Sequence, residues 1–370
     1  MKVPFIDLRR SYQAHASALD ACIHEVAQSG AYVLGTNVAA FEQAVAEYLG
    51  VSHAVAVGSG TDALHLALSA VGIGAGDEVV TSPFTFAATA EAIKYLGAVP
   101  VLVDVDRESF NIDPNQIEDA ITARTRAILP VHMFGLPADM AAIASIADRH
   151  GLLVVEDCAQ SFGATFEGRR VGGIGNAGAH SFYPTKTMGG LGDGGLVSTN
   201  DAAVDGRLRE LRNHGIGPAG EHVRLGYNSR LDEIQAAVLR VKLEYIEQSN
   251  GQRRHIASRY NSLLADTAAK TPTSPPAAQH VYGYYTIVVD DRAALRSQLD
   301  EAGIGTAIYY PKPLHKHQYF GDSVAFDALP VAEDLASRCL SLPIFPEMTD
   351  EEVDYVATTI AALLPQAGSP

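Results

Sequence analysis

The stretch HAVAVGSGTDALHLALSAVG, residues 53–72, decides the fold class. Its first five residues form a short apolar run that is typical of a buried strand, and the part from Asp62 onward has a helical pattern. GSGT joins the two, with glycines that permit a tight turn and polar side chains that can cap a helix. The sequence therefore predicts a strand followed at once by a helix, the repeating unit of a parallel α/β sheet.

The same alternation continues from this unit to residue 157. Further apolar runs predict strands, namely EVVTS, VPVLVDV, RAILPVHMF and LLVVED. A helix is predicted between successive strands, including the segment between VPVLVDV and RAILPVHMF. Strands that are apolar throughout and separated by helices indicate a mainly parallel sheet that is covered on both faces. The predicted fold class is therefore α/β, with helices and sheet in layers.

The second part of the chain predicts a smaller unit. SRLDEIQAAVLRVKLEYI, from Ser229, has apolar residues at helical spacing and predicts a long amphipathic helix that leads out of the first unit. Residues 267–279 are rich in Pro, Thr and Ser and predict a linker, after which VYGYYTIVVDD predicts a strand. We therefore expect a large α/β domain over residues 1–245 and a smaller C-terminal α+β domain over residues 246–370.

Composition and charge exclude several function classes. The net charge of −16 and the lack of a Lys/Arg cluster argue against nucleic acid as a partner. No apolar run approaches the ~18 residues of a membrane span, and MKVPFIDLRRSYQ lacks a signal-peptide core, so we expect a cytoplasmic protein with no membrane partner. The three cysteines are scattered without a CxxC pair, which predicts neither a disulfide framework nor a metal site.

The GSGT turn is a candidate anion site. Backbone N–H groups at a helix N-terminus, together with the helix dipole, favour a phosphate. A structural role explains the same residues, because Ser59 or Thr61 can act as an N-cap and glycine permits the turn. This turn alone does not decide between the two interpretations.

Two further features favour a phosphate-bearing cofactor. Asp157 ends the predicted strand LLVVED, at the edge where ligands of open α/β sheets bind, and Lys186 precedes GGLGDGG, with five glycines in seven residues. Taken separately, they could be an ion-paired acid and a solvated lysine. Together with the anion site they meet the needs of pyridoxal 5′-phosphate (PLP): a phosphate site, a carboxylate for the pyridinium nitrogen and an amine for the Schiff base.

The sequence also resembles a known family, the DegT/StrS-type nucleotide-sugar aminotransferases, a branch of the fold-type I PLP enzymes. The resemblance runs from PFIDLRRSY at residue 4 to LSLPIFPEMTDEEV at residues 340–353, with shared motifs in the family's order. They include GSGTDALHLAL, TSPFTFAATAEAI, PVHMFG, EDCAQSFGA, SFYPTK, GDGG, LRNHG, GYNSRLDEIQAAVL and YYPKPLH. It implies a large, mainly parallel, mixed sheet between helices, with a smaller C-terminal α+β domain.

The resemblance implies roles for individual residues. Lys186 is similar to the family's Schiff-base lysine, which also moves the proton at the substrate's Cα, and Asp157 resembles the partner of the pyridinium nitrogen. The resemblance implies that the phosphate is held by Gly60, Thr61 and Ser181. It implies that Phe86 stacks on the cofactor ring and that Gln160 lies near the phenolic oxygen. It also implies that Asn228 reaches the phosphate from a partner subunit. The last contact implies a homodimer with shared active sites. For the sugar pocket we expect Tyr183, Tyr310 and His315, which could instead be packing residues.

The implied reaction is a ping-pong transamination. L-Glutamate converts PLP to pyridoxamine 5′-phosphate, which aminates a ketone carbon on a nucleotide-linked deoxyhexose. GDGG, with Asp193, and VYGYYTI at residues 281–287 resemble the family's 3-amination branch, which implies a 3-keto rather than a 4-keto sugar. A cyclitol or other carbocyclic ketone is an alternative substrate. A sugar dehydratase is a second alternative, but related dehydratases carry histidine where this chain has Lys186. A non-catalytic PLP-binding regulator is less consistent with the acidic charge. A binding protein without a cofactor leaves the combination of Asp157, Gln160 and Lys186 unexplained.

Overall fold

The computed structural model of the protein describes residues 1–321 and 323–366. Its strands alternate with helices along the first half of the chain, as the sequence predicts. The strands are β1 (His53–Val57), β2 (Glu78–Thr81), β3 (Val99–Leu102), β4 (Thr125–Leu129), β5 (Leu153–Asp157), β6 (Thr165–Phe166), β7 (Arg169–Arg170), β8 (Ala177–Ser181), β9 (Gly195–Thr199), β10 (Ala278–Gln279), β11 (Tyr285–Val288), β12 (Ala325–Phe326) and β13 (Cys339–Leu342).

Helices connect these strands and cover them. They are α1 (Leu8–Ser29), α2 (Thr36–Leu49), α3 (Gly60–Ala70), α4 (Ala87–Tyr95), α5 (Met140–His150), α6 (Ala202–Arg212), α7 (Glu233–Glu244), α8 (Ile246–Leu264), α9 (Arg292–Glu301), α10 (Gln318–Gly321), α11 (Pro330–Arg338) and α12 (Asp350–Leu363). Within the described ranges, none of the helices has both the length and the apolarity needed to cross a lipid bilayer.

Within the part of the chain that the structure describes, the main sheet has eight strands in the order β1-β9-β8-β5-β4-β2-β3-β12. Each neighbouring pair from β8 to β12 is parallel, whereas β9 is antiparallel to both β8 and β1. Parallel strands end at the same edge of a sheet, so the residues that follow β5 lie beside the end of β8. The mainly parallel, mixed sheet confirms the predicted α/β class.

Helices pack on both faces of this sheet. Along β1, Val55 and Val57 belong to a buried cluster with residues of α3, α4 and α6, whereas Ala54 and Ala56 belong to a cluster with α2 and α7. This alternation follows from the two-residue period of a strand. α5 covers the same face as α2, further along the sheet, through Ile143 and other residues that pack on β4 and β5. The sheet is therefore buried on both sides, which explains its apolar strands.

A second apolar core lies in the C-terminal part of the chain. There β11 and β13 form an antiparallel pair, and residues of α8, α9 and α12 pack with them around the buried Tyr260 and Tyr285. Val3, near the start of the chain, joins this core and pairs with Ile304. The junction between α7 and α8 falls at Tyr245, where we expect the boundary between the two domains.

Three local predictions differ from the structure. The segment between β3 and β4 forms two 3₁₀ turns, Pro114–Gln116 and Glu118–Ala120, instead of a helix, because Asp113 caps a turn that begins with proline. The helix expected from Ser229 begins at Glu233 and is interrupted at Tyr245. The predicted linker contributes β10, which pairs with β6.

Candidate active site

The turn between β1 and α3 lies against the end of β8. Ser59 caps α3, since its Oγ accepts a 3.1 Å hydrogen bond from the Asp62 amide. A Cβ on Gly60 would come within 2.5 Å of the Ser181 Cβ, and a Cβ on Gly195 would collide with the Ser59 carbonyl group. The first amides of a helix have no partner within the helix, so Gly60 and Thr61 offer N–H groups beside the Ser181 hydroxyl. This arrangement can hold a phosphate.

Asp157 ends β5 and is 3% exposed. Its Oδ2 accepts a 2.8 Å hydrogen bond from the Thr89 hydroxyl, and its Oδ1 accepts a 3.1 Å bond from the Ala159 amide. Burial raises the pKa of Asp157, while these hydrogen bonds and the positive charge of Lys186 act in the opposite direction. A buried carboxylate of this kind needs a cation beside it, and a protonated pyridinium nitrogen meets that need.

Lys186 lies in the loop between β8 and β9. Burial lowers the pKa of its amine, against the effect of the Asp157 carboxylate. A lowered pKa enlarges the fraction of neutral amine, which is the nucleophilic and proton-accepting form. The predicted lysine and the predicted carboxylate therefore interact electrostatically in this structure.

The glycines after Lys186 let the loop pack closely on protein. A Cβ on Gly189 would collide with the Pro184 carbonyl group, and one on Gly190 would lie 2.8 Å from the Gln235 side chain. Gln235, on α7, also accepts a 2.8 Å hydrogen bond from the Leu191 amide. The glycine run thus fixes the loop against its own backbone and α7, which holds Lys186 in a defined place.

Gln160, Tyr310 and Phe86 form a second group of predicted residues. The Phe134 amide donates a 2.7 Å hydrogen bond to Gln160 Oε1, which orients the side chain so that Nε2 donates to the Tyr310 hydroxyl at 3.1 Å. Burial raises the pKa of Tyr310 well above its usual value, so the phenol stays neutral. Phe86 is 58% exposed just before α4, with its ring centroid 6.3 Å from that of Tyr310.

The three remaining predicted residues differ in burial. Tyr183 is 52% exposed, three residues before Lys186. His315 is buried, with its Nε2 3.0 Å from Glu333 Oε1 and its ring tilted against Phe326 at 5.0 Å. Asn228 is exposed. Their roles stay predictions.

Asn228 is followed by a residue that contacts the phosphate cradle. The Ser229 hydroxyl accepts a 3.1 Å hydrogen bond from the Gly58 amide and donates a 2.8 Å bond to Asp62 Oδ2. These bonds fix the end of the loop that carries Asn228 against the first turn of α3. The loop is therefore anchored at its base, while Asn228 itself faces outward.

Glu156 and His132 form a buried network beside Asp157 that sequence reasoning missed. Glu156 is fully buried, and both of its oxygens accept hydrogen bonds of 2.7–3.0 Å, from His132 Nε2 and the amides of Gly172, Ile174 and Gly175. His132 Nδ1 accepts a 3.0 Å bond from the Ala138 amide, so its proton is on Nε2. Burial alone would raise the pKa of Glu156, but these donors outweigh it and hold the pKa below its usual value.

This network has the residue types of a metal site, but its carboxylate oxygens are already occupied by hydrogen bonds. His132, Glu156 and Cys158 bring potential ligand atoms within 4.8 Å of one another. Because both Glu156 oxygens are already used by four donors, the cluster acts as a structural support that fixes the strand carrying Asp157. The only sequence signal was the acid at the strand end, which does not identify its partner 24 residues earlier in the chain.

The residues present fit PLP. The cradle at Gly60, which a Cβ would fill, matches its phosphate. The buried Asp157 carboxylate, which no guanidinium pairs among the described residues, matches its pyridinium nitrogen. The Lys186 amine of lowered pKa matches its aldehyde, and the exposed Phe86 ring matches its flat face. Each of these four features comes from a different element, α3, β5, the β8–β9 loop and the start of α4. The site is thus assembled by the sheet edge.

Comparisons with known proteins agree with this chemistry. Residues 14–361 match the DegT/DnrJ/EryC1/StrS aminotransferase family. The chain is 45% identical over 362 residues to the UDP-N-acetyl-3-dehydro-alpha-D-glucosamine 3-aminotransferase of Acidithiobacillus ferrooxidans, covering 98% of each chain. It is also 45% identical over 366 residues to a protein of Geobacillus stearothermophilus named pleiotropic regulatory protein, again with 98% of each covered.

A solved structure shows the same fold. NtdA from Bacillus subtilis, crystallised with the cofactor PMP, superposes with a TM-score of 0.91 at 32% sequence identity. The alignment covers 98% of this chain and 85% of that one.

Proposed function

The chain belongs to the DegT/DnrJ/EryC1/StrS aminotransferase family and is a PLP-dependent transaminase, and we propose that it moves an amino group from L-glutamate to C3 of a nucleotide-linked 3-keto sugar. The observation that carries the proposal is the buried Asp157 carboxylate at the end of β5, which interacts electrostatically with the Lys186 amine in the neighbouring loop. The sugar specificity follows the 3-aminotransferase that is 45% identical over nearly the whole chain.

We assign the cofactor contacts to the residues at the sheet edge. Gly60, Thr61 and Ser181 would hold the phosphate, Asp157 the ring nitrogen and Lys186 the covalent attachment. Phe86 would lie against the ring and Gln160 near its phenolic oxygen, where the bond from the Phe134 amide already orients the Gln160 side chain. Bound PLP supplies an aldehyde that exchanges amino groups and a cationic ring that withdraws electrons from the carbon that loses its proton.

The chain's own groups then move one proton. With the cofactor bound, the neutral Lys186 amine would take the proton from the donor's Cα, and in the second half-reaction it would deliver a proton to the sugar carbon that receives the amino group. Its lowered pKa suits this role, because a base works best when its pKa lies near the working pH. Asp157 would face the ring nitrogen with its negative charge, and the Thr89 hydroxyl and the Ala159 amide hold its carboxylate in place. L-Glutamate would leave its nitrogen on the cofactor and, with the carbonyl oxygen supplied by one water molecule, depart as 2-oxoglutarate.

The sugar would lie on the open side of this group. Tyr310 has its ring centroid 6.3 Å from that of Phe86, and Tyr183 lies three residues before Lys186. His315 lies on a segment joined to the site by the Leu314 amide, which donates a 2.9 Å bond to the Pro83 carbonyl. Hydroxyl and imidazole groups can hydrogen-bond sugar hydroxyls. These three side chains complete the proposed substrate pocket.

We further propose a homodimer with shared active sites. The loop that carries Asn228 exposes Val223, Leu225 and Tyr227, with 56%, 86% and 37% of their surface accessible. Large exposed apolar side chains close together mark interaction surfaces. A partner seated on this loop would bury them and bring its own Asn228 to the cofactor phosphate. We also propose that the chain divides into two domains at residue 245. We propose a cytoplasmic location, because a reducing compartment keeps thiols free, as they are in Cys22, Cys158 and Cys339.

A regulatory role is the second candidate, since one relative carries a regulatory name. Lys186 and Asp157 would serve PLP binding in either function, so these two residues do not separate the regulator from the transaminase. The two functions are distinguished by turnover. A cyclitol ketone as substrate finds no support among the relatives named above.

The absorption spectrum of the purified protein tests the function. We expect a visible band from bound PLP that L-glutamate converts to the shorter-wavelength band of pyridoxamine 5′-phosphate. Addition of a UDP- or dTDP-linked 3-keto sugar should restore the visible band, whereas the 4-keto isomer should restore it far more slowly. A protein that binds PLP but shows no change with any amino acid would support the regulatory candidate.

A further inference from the structure

A small cavity lies next to the lysine loop. Its volume is about 60 Å³, enough for a few water-sized groups. It is lined by the N-terminal arm, by residues 184–189, by the junction of α7 and α8 and by residues 344–347 of the C-terminal part. The cavity therefore shares a wall with the active site and touches both cores of the protein.

Arg253 on α8 lines this cavity and is 7% exposed. Its Nε and Nη1 atoms are buried without a hydrogen-bond partner among the residues that the structure describes. Burial lowers the pKa of Arg253 to about 10, with Glu347 acting in the opposite direction, so the guanidinium is still charged at neutral pH. A buried charge with free donors is costly unless a group of opposite charge accepts them.

The charges around the cavity do not balance. Lys242 is a second, half-buried cation, and its Nζ donates a 2.5 Å hydrogen bond to the Gly189 carbonyl oxygen. Glu347 acts electrostatically on both cations. Asp7 also lines the cavity, but it caps α1 and lies 3.6 Å from the Arg10 guanidinium. Lys186 also lines the cavity, but in the PLP-loaded protein its amine would be taken up by the attachment of the cofactor. Arg253 and Lys242 then face one available carboxylate, that of Glu347, which leaves one positive charge.

We propose that this cavity binds a small monovalent inorganic anion of the size of chloride, held between the Arg253 guanidinium and the Lys242 ammonium. One excess charge calls for a monovalent anion, and the nearby Glu347 carboxylate disfavours a phosphate dianion. The bound anion links α8 to the lysine loop through the bond from Lys242 to Gly189. It thereby stabilises the junction between the two cores.

Thermal unfolding of the PLP-loaded protein tests the site. Chloride is titrated against gluconate, which is too large for the cavity, at constant ionic strength. We expect a saturable rise in Tm of about 2–4 °C. The variant Arg253→Gln should lose the chloride dependence, whereas Arg254→Gln, on the same helix but outside the cavity, should retain it. A wild-type Tm that does not depend on chloride, or rises without saturating, would overturn the proposal.

Bromide provides a second test that requires no variant. Crystals grown with sodium bromide should show an anomalous peak within hydrogen-bonding distance of the Arg253 guanidinium and Lys242 Nζ. A cavity filled only by waters that bridge Arg253 and Glu347 would give no anomalous peak, and the anion site would be rejected. Neither measurement depends on transaminase activity, so failure here leaves the proposed function untouched.

Discussion

The hydroxyl of Thr89 donates a 2.8 Å hydrogen bond to Oδ2 of Asp157, joining the first turn of α4 to the end of β5. The hydroxyl oxygens of Thr85 and Thr89 are 2.9 Å apart. Since the Thr89 proton points to the carboxylate, Thr85 donates to Thr89. The two threonines thus form a chain that stabilises the ionised form of Asp157 against burial, which raises its pKa.

Removal of this bond should shift the pH dependence of PLP binding. In Thr89→Val the pKa of Asp157 rises further, because a hydrogen bond to a charged group is worth about 1.5–3 kcal/mol, or about 1–2 pH units. The acidic limb of PLP affinity should therefore move to higher pH by that amount, measured by titrating the apoprotein at several pH values. Thr85→Val, which removes only the outer hydroxyl, should give a smaller shift. Identical profiles for Thr89→Val and the wild type would remove Thr89 from this role.

Asp157→Asn should separate stability from activity. Loss of the charge that faces the ring nitrogen should slow the half-reaction with L-glutamate by about 10²–10³-fold. The folded-state pKa of Asp157 is raised, so its ionised form destabilises the apoprotein as pH rises through that pKa. The apoprotein of Asp157→Asn should therefore be at least as stable as the wild type at pH 7, by Tm. Unchanged single-turnover rates would exclude Asp157 from the site.

Lys186→Ala should abolish turnover and leave the fold intact. The variant loses both the covalent attachment of PLP and the base that moves the proton, so the visible band and the glutamate response should disappear together. Circular dichroism and Tm measure whether the fold survives. Lys270→Ala, at an exposed position, is the control and should keep wild-type rates. Wild-type transamination by Lys186→Ala would contradict the mechanism.

The sequence predicted the parts of the site that depend on local pattern. The strand–turn–helix at residues 53–72 and the acid at the end of β5 follow from apolar periodicity, because periodicity reports which face of an element is buried. It does not report which polar groups meet across the fold. Thr89, 68 residues from Asp157, and the pairing of His132 with Glu156 were therefore missed.

Gly60→Ala tests the phosphate cradle. The new Cβ would lie 2.5 Å from the Ser181 Cβ, so one of the two elements must shift, at a cost of about 1–3 kcal/mol. We expect PLP affinity to fall at least about 10-fold. Gly206→Ala is the matched control, because that glycine lies within α6 and its Cβ would contact nothing within 4 Å. It should be neutral or slightly stabilising in Tm and retain PLP affinity.

A mixture of two inactive variants tests the homodimer with shared sites. Lys186→Ala lacks the amine, and Asn228→Ala lacks the phosphate contact that we assign to the partner subunit. In a mixed dimer, one site combines the Lys186 of one subunit with the Asn228 of the other and is intact. Unfolding and refolding the two variants together at equal concentration should therefore restore about a quarter of the wild-type sites, measured as PLP bound and as amine transfer.

Two results would contradict this arrangement. If Asn228 served the site of its own subunit, the mixture would be no more active than the average of the two variants refolded separately. If the protein were a monomer, the mixture would give the same average, and sedimentation would show a single chain. Leu225→Ser, in the exposed loop that carries Asn228, tests whether dimer formation and PLP binding are linked. Loss of this 86% exposed apolar side chain should weaken the dimer, so PLP occupancy should fall in parallel with dimer content on dilution.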